Sequence, residues 1–147
     1  MRAVVTRVKS ASVTIGGKTS GMILNGFLVL LGVHLDDTEE IAVKMADRIA
    51  GLRVFSDENG KMNLSLKDVE GSILVVSQFT LYADVRSRRP GFTKAARPEK
   101  AIPLYETVIK ELKGRGFCVE HGVFGADLLV SSENDGPVTI LIDSSEW

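Results

Sequence analysis

Thiols are nearly absent from this chain: Cys118 is its single cysteine, so no internal disulfide can form and no thiolate cluster can hold a metal. Histidine is almost as scarce. His34 and His121 are the only two; they fit neither H-E-x-x-H nor a pair at helical spacing, and Asp57-Glu58-Asn59-Gly60 lacks the terminal glutamate of a calcium loop. No metal and no other cofactor is expected. Long apolar runs are missing as well, for the longest, Phe27–Leu31, is far too short to cross a bilayer, and no membrane partner is expected. The opening Arg2–Arg7 alternates like a strand and carries no apolar signal-peptide core, which points to a cytoplasmic protein. Neither sign of charge dominates. A net charge of −1 gives no nucleic-acid signal and excludes no RNA partner. The glycines at Gly16-Gly17, Gly114–Gly116 and Gly122–Gly125 lack the strand-loop-helix setting of a nucleotide fingerprint and read as turns.

What is present suits one domain over residues 1–147, with 44% hydrophobic and 25% charged residues, values that favour neither disorder nor a coiled coil. Val4, Val8, Val13 and Ile15 give Arg2–Ile15 a strand pattern with a bulge near Lys9–Ser12. Gly16-Gly17 is a hairpin turn, Lys18–Leu24 returns, Asn25-Gly26 turns again, and Phe27–Val33 reads as a central strand covered on both faces. Asp36–Glu40 caps a helix whose Ile41, Met45, Ile49 and Leu52 share one face, with Gly51 at its stop. Ile102, Leu104, Tyr105, Val108, Ile109 and Leu112 mark a second amphipathic helix over Glu99–Lys113. Leu128–Ser132 and Val138–Ile142 read as strands separated by an Asn134–Pro137 turn, and Asp143–Trp147 as a loose tail. The expected fold is α+β: a mainly antiparallel sheet or partly closed β-barrel covered by two helices.

Val75–Asp84 reads as a buried strand that runs straight into polar groups. A polar group there needs a partner or a ligand, so Ser77-Gln78-Phe79-Thr80 is a candidate pocket, with Gln78 and Thr80 facing one way and Phe79 the other. Bonding of the same groups to nearby backbone at a sheet edge is the alternative. Thr80 could serve as a nucleophile only with a base within reach, and no motif pairs it with either histidine. Directly after this stretch, Arg86, Arg88, Arg89, Lys94, Arg97 and Lys100 fall within fifteen residues beside Tyr82 and Phe92. Such a basic loop suits phosphates and a stacked base, or a solvated surface. At Gly136-Pro137, glycine admits a close backbone approach and proline fixes the chain's shape.

SQFTLYAD at 77–84, NDGPVT at 134–139, RVKSASVTI at 7–15, FSDENGKMNLS at 55–65 and RRPGFTKAA at 88–96 together resemble the D-aminoacyl-tRNA deacylase family along the full length. The resemblance implies a homodimeric editing enzyme that hydrolyses the ester of D-amino acids, and of glycine, mischarged on tRNA. It implies that Ser77, Gln78, Phe79 and Thr80 line the pocket for the terminal adenosine and the aminoacyl ester. Gly136 and Pro137 would be a Gly-cis-Pro motif reaching into the partner subunit's site, Arg7 the arginine that fixes it, and Phe124 a pocket residue within GVFGADL. It also implies attack assisted by the tRNA 2′-hydroxyl. Leu128 and Gly91 depart from the commoner Met and Ser, which touches packing more than chemistry. Arg86, Arg88, Arg89 and Lys94 are the residues expected to bind tRNA. Two further readings fit the residues: a non-catalytic RNA-binding module on the basic loop, and a threonine-nucleophile esterase at Thr80.

Overall fold

The computed structural model describes residues 1–147. Its spine is the long strand β1 (Arg2–Ile15). Gly16 and Gly17, at φ 55° and 83°, supply the left-handed turn that a tight hairpin requires and send the chain back as β2 (Lys18–Ile23). β2 pairs with the far half of β1, and β3 (Gly26–Gly32) with its near half, both antiparallel. The other edge of β1 is taken by β8 (Leu129–Asp143). Beyond β3 the sheet changes sense: β6 (Ser72–Ser77) and β7 (Val119–His121) add in parallel, giving the order β2-β1-β3-β6-β7. Gly26 makes the first of these joins possible, since a Cβ there would lie 1.8 Å from the Ser72 carbonyl oxygen. The result is a nearly closed, barrel-like mixed sheet with two helices, an α+β fold.

Helix α1 (Glu39–Gly51) starts where the Thr38 hydroxyl accepts the Ile41 N–H, with Glu39 and Glu40 on its positive end. α2 (Pro98–Gly114) starts with Pro98, whose missing N–H costs nothing in a first turn. Both lie on one face of the sheet. Ala42, Met45 and Ile49 from α1 and Leu104, Val108 and Leu112 from α2 close over Val5, Phe27, Val29 and Ile73. Leu28 points the opposite way along β3, into a smaller cluster with Val8, Val13, Leu74 and Val76. β3 is thus covered on both faces, and each large side chain buried there contributes about 1.5–3 kcal/mol.

Three local expectations need correction. The strand from Ser72 ends at Ser77, and Phe79–Tyr82 is a 3-10 turn, so Gln78 and Thr80 do not alternate across a sheet with Phe79. Gly32 explains the break. A Cβ on it would come within 3.0 Å of both the Gln78 carbonyl and Leu81 Cβ, so the chain folds over the end of β3. Asn134–Pro137 is no turn between two strands but an excursion within β8: Thr6 faces Thr139 while Val8 faces Asn134, two steps on one strand against five on the other. The tail is tied down, with Ser144–Glu146 helical and Asp143 bonded to Arg2 at 2.8 Å. A small separate hairpin, β4 (Phe55–Ser56) with β5 (Met62–Leu64), is closed by Asp57 accepting from the Asn59 and Lys61 amides.

Candidate active site

The ends of β3 and β6 open into a cavity of about 300 Å³. Leu31, Val33 and Val76 form its floor, Ser77, Gln78 and Phe79 one wall, and Phe124, Gly125, Ala126, Asp127 and Leu128 the opposite one. α2 closes the back with Ala101 and Tyr105. Tyr105 looks in sequence like any core position of an amphipathic helix, yet its buried hydroxyl donates to the Val75 carbonyl at 3.0 Å, one residue from the pocket floor. Burial pushes that hydroxyl up to about 12, so it stays a donor at any physiological pH. Phe124 stacks edge-on against the Tyr105 ring at 5.8 Å, which joins the loop after β7 to the helix. The lining is mostly apolar, with polar groups at Ser77 and Gln78 on one wall and Asp127 on the other, the composition of a small-ligand site.

The wall itself is fixed from behind. Gln78 N–H donates to the Leu31 carbonyl at 2.8 Å, and its side-chain amide donates to Thr80 Oγ1 at 2.5 Å. The turn's first internal bond runs from Leu81 N–H to the Gln78 carbonyl at 3.2 Å, so the Phe79 and Thr80 amides precede it, as the opening amides of a short helix do. Phe79 is 54% exposed and meets Phe92 of the basic loop edge-on at 4.9 Å. Thr80 is exposed and lies beside the cavity, not in its lining. Neither histidine bonds to it: His34 accepts the Asp36 N–H and packs on Tyr82, and His121 Nδ1 lies 2.7 Å from the Gly122 carbonyl.

A second cluster forms on β8. Gly136 has φ +124°, a conformation that favours glycine, and the Gly136–Pro137 peptide is cis. Both residues are exposed and project from the excursion in the strand. Arg7 holds the base of this loop. Its Nε donates to the Asp135 carbonyl at 3.2 Å and sits 3.4 Å from the Asp135 carboxylate, while Nη1 donates to the Val54 carbonyl at 2.6 Å. Val54, the residue just before the FSDENGKMNLS stretch and its β4–β5 hairpin, presents the main-chain acceptor that anchors Arg7. A backbone carbonyl leaves no residue signature. Within one chain the structure therefore joins Ser77, Gln78, Phe79 and Phe124 at the cavity and Arg7, Gly136 and Pro137 at the loop, and the loop does not line the cavity.

Of the basic residues, Arg86 is committed to Asp84 by a 2.5 Å ion pair, and the bonds from Arg86 hold the Asp84 carboxyl below its usual range. Arg88, Arg89 and Lys94 enter none of the chain's ion pairs. Reciprocal amide bonds between Asp84 and Gly91 close this loop into a compact finger beside Phe79.

A barrel-like mixed sheet under two helices, with a mostly apolar cavity at its strand ends and main-chain and amide groups along one wall, defines a small α+β domain with a pocket suited to a small ligand group. Comparison with known proteins narrows this to one family. The model of the family described as D-Tyr-tRNA(Tyr) deacylase matches residues 4–143. The D-aminoacyl-tRNA deacylases of Thermus aquaticus and Koribacter versatilis are 58% and 56% identical over 147 residues, in each case 99% of this chain, and 97% and 99% of theirs. Among solved structures, one titled c-Myc DNA Unwinding Element Binding Protein has a TM-score of 0.92 at 41% identity, over 98% of this chain and 99% of its own. A probable eukaryotic D-amino acid tRNA deacylase superposes with a TM-score of 0.85 at 17% identity over 96% and 97% of the two chains, a likeness of fold alone. The chain belongs to the D-aminoacyl-tRNA deacylase family and is an enzyme of that family.

Proposed function

We propose that this enzyme hydrolyses the ester between a D-amino acid and the terminal adenosine of tRNA, accepts glycyl-tRNA, and rejects L-aminoacyl-tRNA. The observation that carries the stereochemical part is the clamp on the Gly136 loop, where buried Arg7 fixes the Asp135 carbonyl within a strand excursion. A wall of main chain held this way cannot yield to a side chain, so an L residue is excluded by collision while a D residue or glycine passes. Carbonyls of the loop take the substrate's ammonium group. Because Gly136 and Pro137 project outward and do not line the cavity of their own chain, they serve the site of a second copy, and the working unit is a homodimer. Exposed Met22, Leu24, Leu129 and Leu141 on β2, β8 and the turn after β2 offer apolar surface for that contact.

Hydrolysis needs little from side chains. An aminoacyl ester is already activated, so the Phe79 and Thr80 amides need only stabilise the oxyanion that forms as water adds to the carbonyl, while positioning supplies much of the rest. The carbon–oxygen bond to the ribose then breaks, and the ribose oxygen leaves with a proton. The neighbouring 2′-hydroxyl of the tRNA assists the attack, in keeping with a Thr80 whose hydrogen bond comes from Gln78 and not from a base. Arg88, Arg89 and Lys94, beside the Phe79 wall, contact phosphates of the acceptor end, with Arg86 shaping the loop through Asp84. The enzyme works in the cytoplasm, where charged tRNA is made. Incubation with D- and L-aminoacyl-tRNA tests the proposal: ester loss from the D form alone supports it, whereas equal protection of both would make the chain an RNA binder.

A further inference from the structure

Arg2 lies outside the cavity, yet two of its three contacts converge on the back of the turn that forms the cavity wall, and the third ties it to the end of β8. Its Nη1 donates to the Leu81 carbonyl at 2.8 Å, its guanidinium lies over the Tyr82 ring at 4.5 Å from the centroid, and its Nε donates to Asp143 at 2.8 Å. Leu81 and Tyr82 are the last residues of the 3-10 turn that begins at Phe79. The front of that turn faces solvent, where Phe79 touches only the ring of Phe92 among the aromatics. Its rear is pressed against Gly32 and tied by Arg2. Arg2 is itself aimed by Asp143, which the Ser145 amide and hydroxyl hold in place at 3.0 and 2.8 Å.

From this convergence we infer that Arg2 is a positioning residue for the reaction: it locks the 3-10 turn so that the Phe79 and Thr80 amides keep a fixed direction toward the ester. The inference rests on the reading of that turn as the ester-orienting wall. A planar guanidinium can serve Leu81, Tyr82 and Asp143 at once, because its donors fan out in one plane while its face stacks on a ring. A lysine ammonium cannot do all three. The turn is short, with poor internal hydrogen-bond geometry of its own, so a tie at its end decides how far it moves.

The test compares Arg2→Met and Arg2→Lys with the wild type, with Arg115→Met as a control that breaks the Arg115–Asp47 pair far from the site. Arg2→Met is expected to lower kcat on D-aminoacyl-tRNA about tenfold with KM within about twofold, since a displacement of reacting groups by a fraction of an ångström acts on the chemical step. Arg2→Lys, which keeps the charge beside Asp143 and folds if Arg2→Met does not, should show a smaller loss of the same kind. Hydrogen exchange gives a readout independent of turnover: the Leu81 and Ala83 amides should exchange about tenfold faster in the variants, with β3 amides unchanged. Wild-type kcat in the folded variants, a loss confined to KM, an equal loss in Arg115→Met, or unaltered exchange at Leu81 and Ala83 would each overturn the inference. If the wild type itself leaves D-aminoacyl-tRNA intact, the proposed function fails, and the exchange measurement still decides whether Arg2 holds the turn.

Discussion

Alanine at position 136 puts the loop on β8 to a severe test with one methyl group. At φ +124° an L residue carries strain of about 1–3 kcal/mol. The added Cβ would also lie 2.8 Å from Arg7 Nη2, 2.9 Å from Val138 Cγ2 and 3.0 Å from the Val138 nitrogen. Carbon contacts settle at roughly 3.5–4.0 Å, so something must move. Val138 is buried and its nitrogen belongs to the strand, which leaves Arg7. Arg7 is only 8% exposed and can retreat only by loosening its bond to the Asp135 carbonyl, a charge-assisted bond worth about 1.5–3 kcal/mol. Because Gly136 and Pro137 project from the strand, part of this cost relaxes as displacement. Gly136→Ala should therefore lower unfolding free energy by about 1–3 kcal/mol and shift the loop by about an ångström, enough to cost roughly a hundredfold in turnover. Urea unfolding and single-turnover hydrolysis of D-aminoacyl-tRNA measure the two effects on one preparation. A folded Gly136→Ala enzyme with wild-type rate and unchanged rejection of the L form would refute the reasoning.

Two other outcomes follow from the same geometry. Thr80→Ala should reduce turnover only about two- to fivefold, because in the proposed mechanism the amides of the turn and not its hydroxyl carry the oxyanion; complete loss in single turnover with intact binding would show that Thr80 attacks. Part-burial of Asp143 pushes its carboxyl up, but the Ser145 amide, Arg2 and the Ser145 hydroxyl more than offset this and hold it at about 2, against 3.8 in an unfolded chain. Its contribution is thus complete above about pH 4 and fades as pH falls toward 2, on the order of 1 kcal/mol because Arg2 is 37% exposed. Asp143→Asn should flatten the stability profile in that window; an unchanged acid limb would remove Asp143 from the account.

The parts legible in the sequence are those written in local patterns. Phe27–Val33 is apolar throughout because β3 is covered on both faces, Gly16-Gly17 is a left-handed turn, and the apolar faces of α1 and α2 follow the helical period. What stayed hidden was decided at a distance. Nothing in Ser77–Tyr82 says that the strand ends, because the fold-back is set by space over Gly32 and by the tie from Arg2. Asn134–Pro137 carries every mark of a turn, yet β1 continues past it and draws both flanks into one strand. The pocket residues of the SQFT stretch were visible through their polarity, whereas Tyr105 was disguised as core and the Val54 acceptor has no side chain to betray it. Likewise, the parallel joins to β6 and β7 depend on crossovers through helices, which no short pattern specifies.

At the centre of the account is a cavity walled by Ser77–Phe79 of one chain and a Gly136–Pro137 loop supplied by another. Mixing two inactive variants measures this directly. Gly136→Phe disables the loop, and Ala126→Trp fills the cavity of the other chain. In an equal mixture of freely exchanging subunits about half of the dimers are mixed, and each mixed dimer regains one intact site of two. Hydrolysis of D-aminoacyl-tRNA should return to about a quarter of the wild-type rate. A mixture as inactive as its components, after exchange of subunits has been demonstrated, would place loop and cavity in the same chain and contradict the shared site.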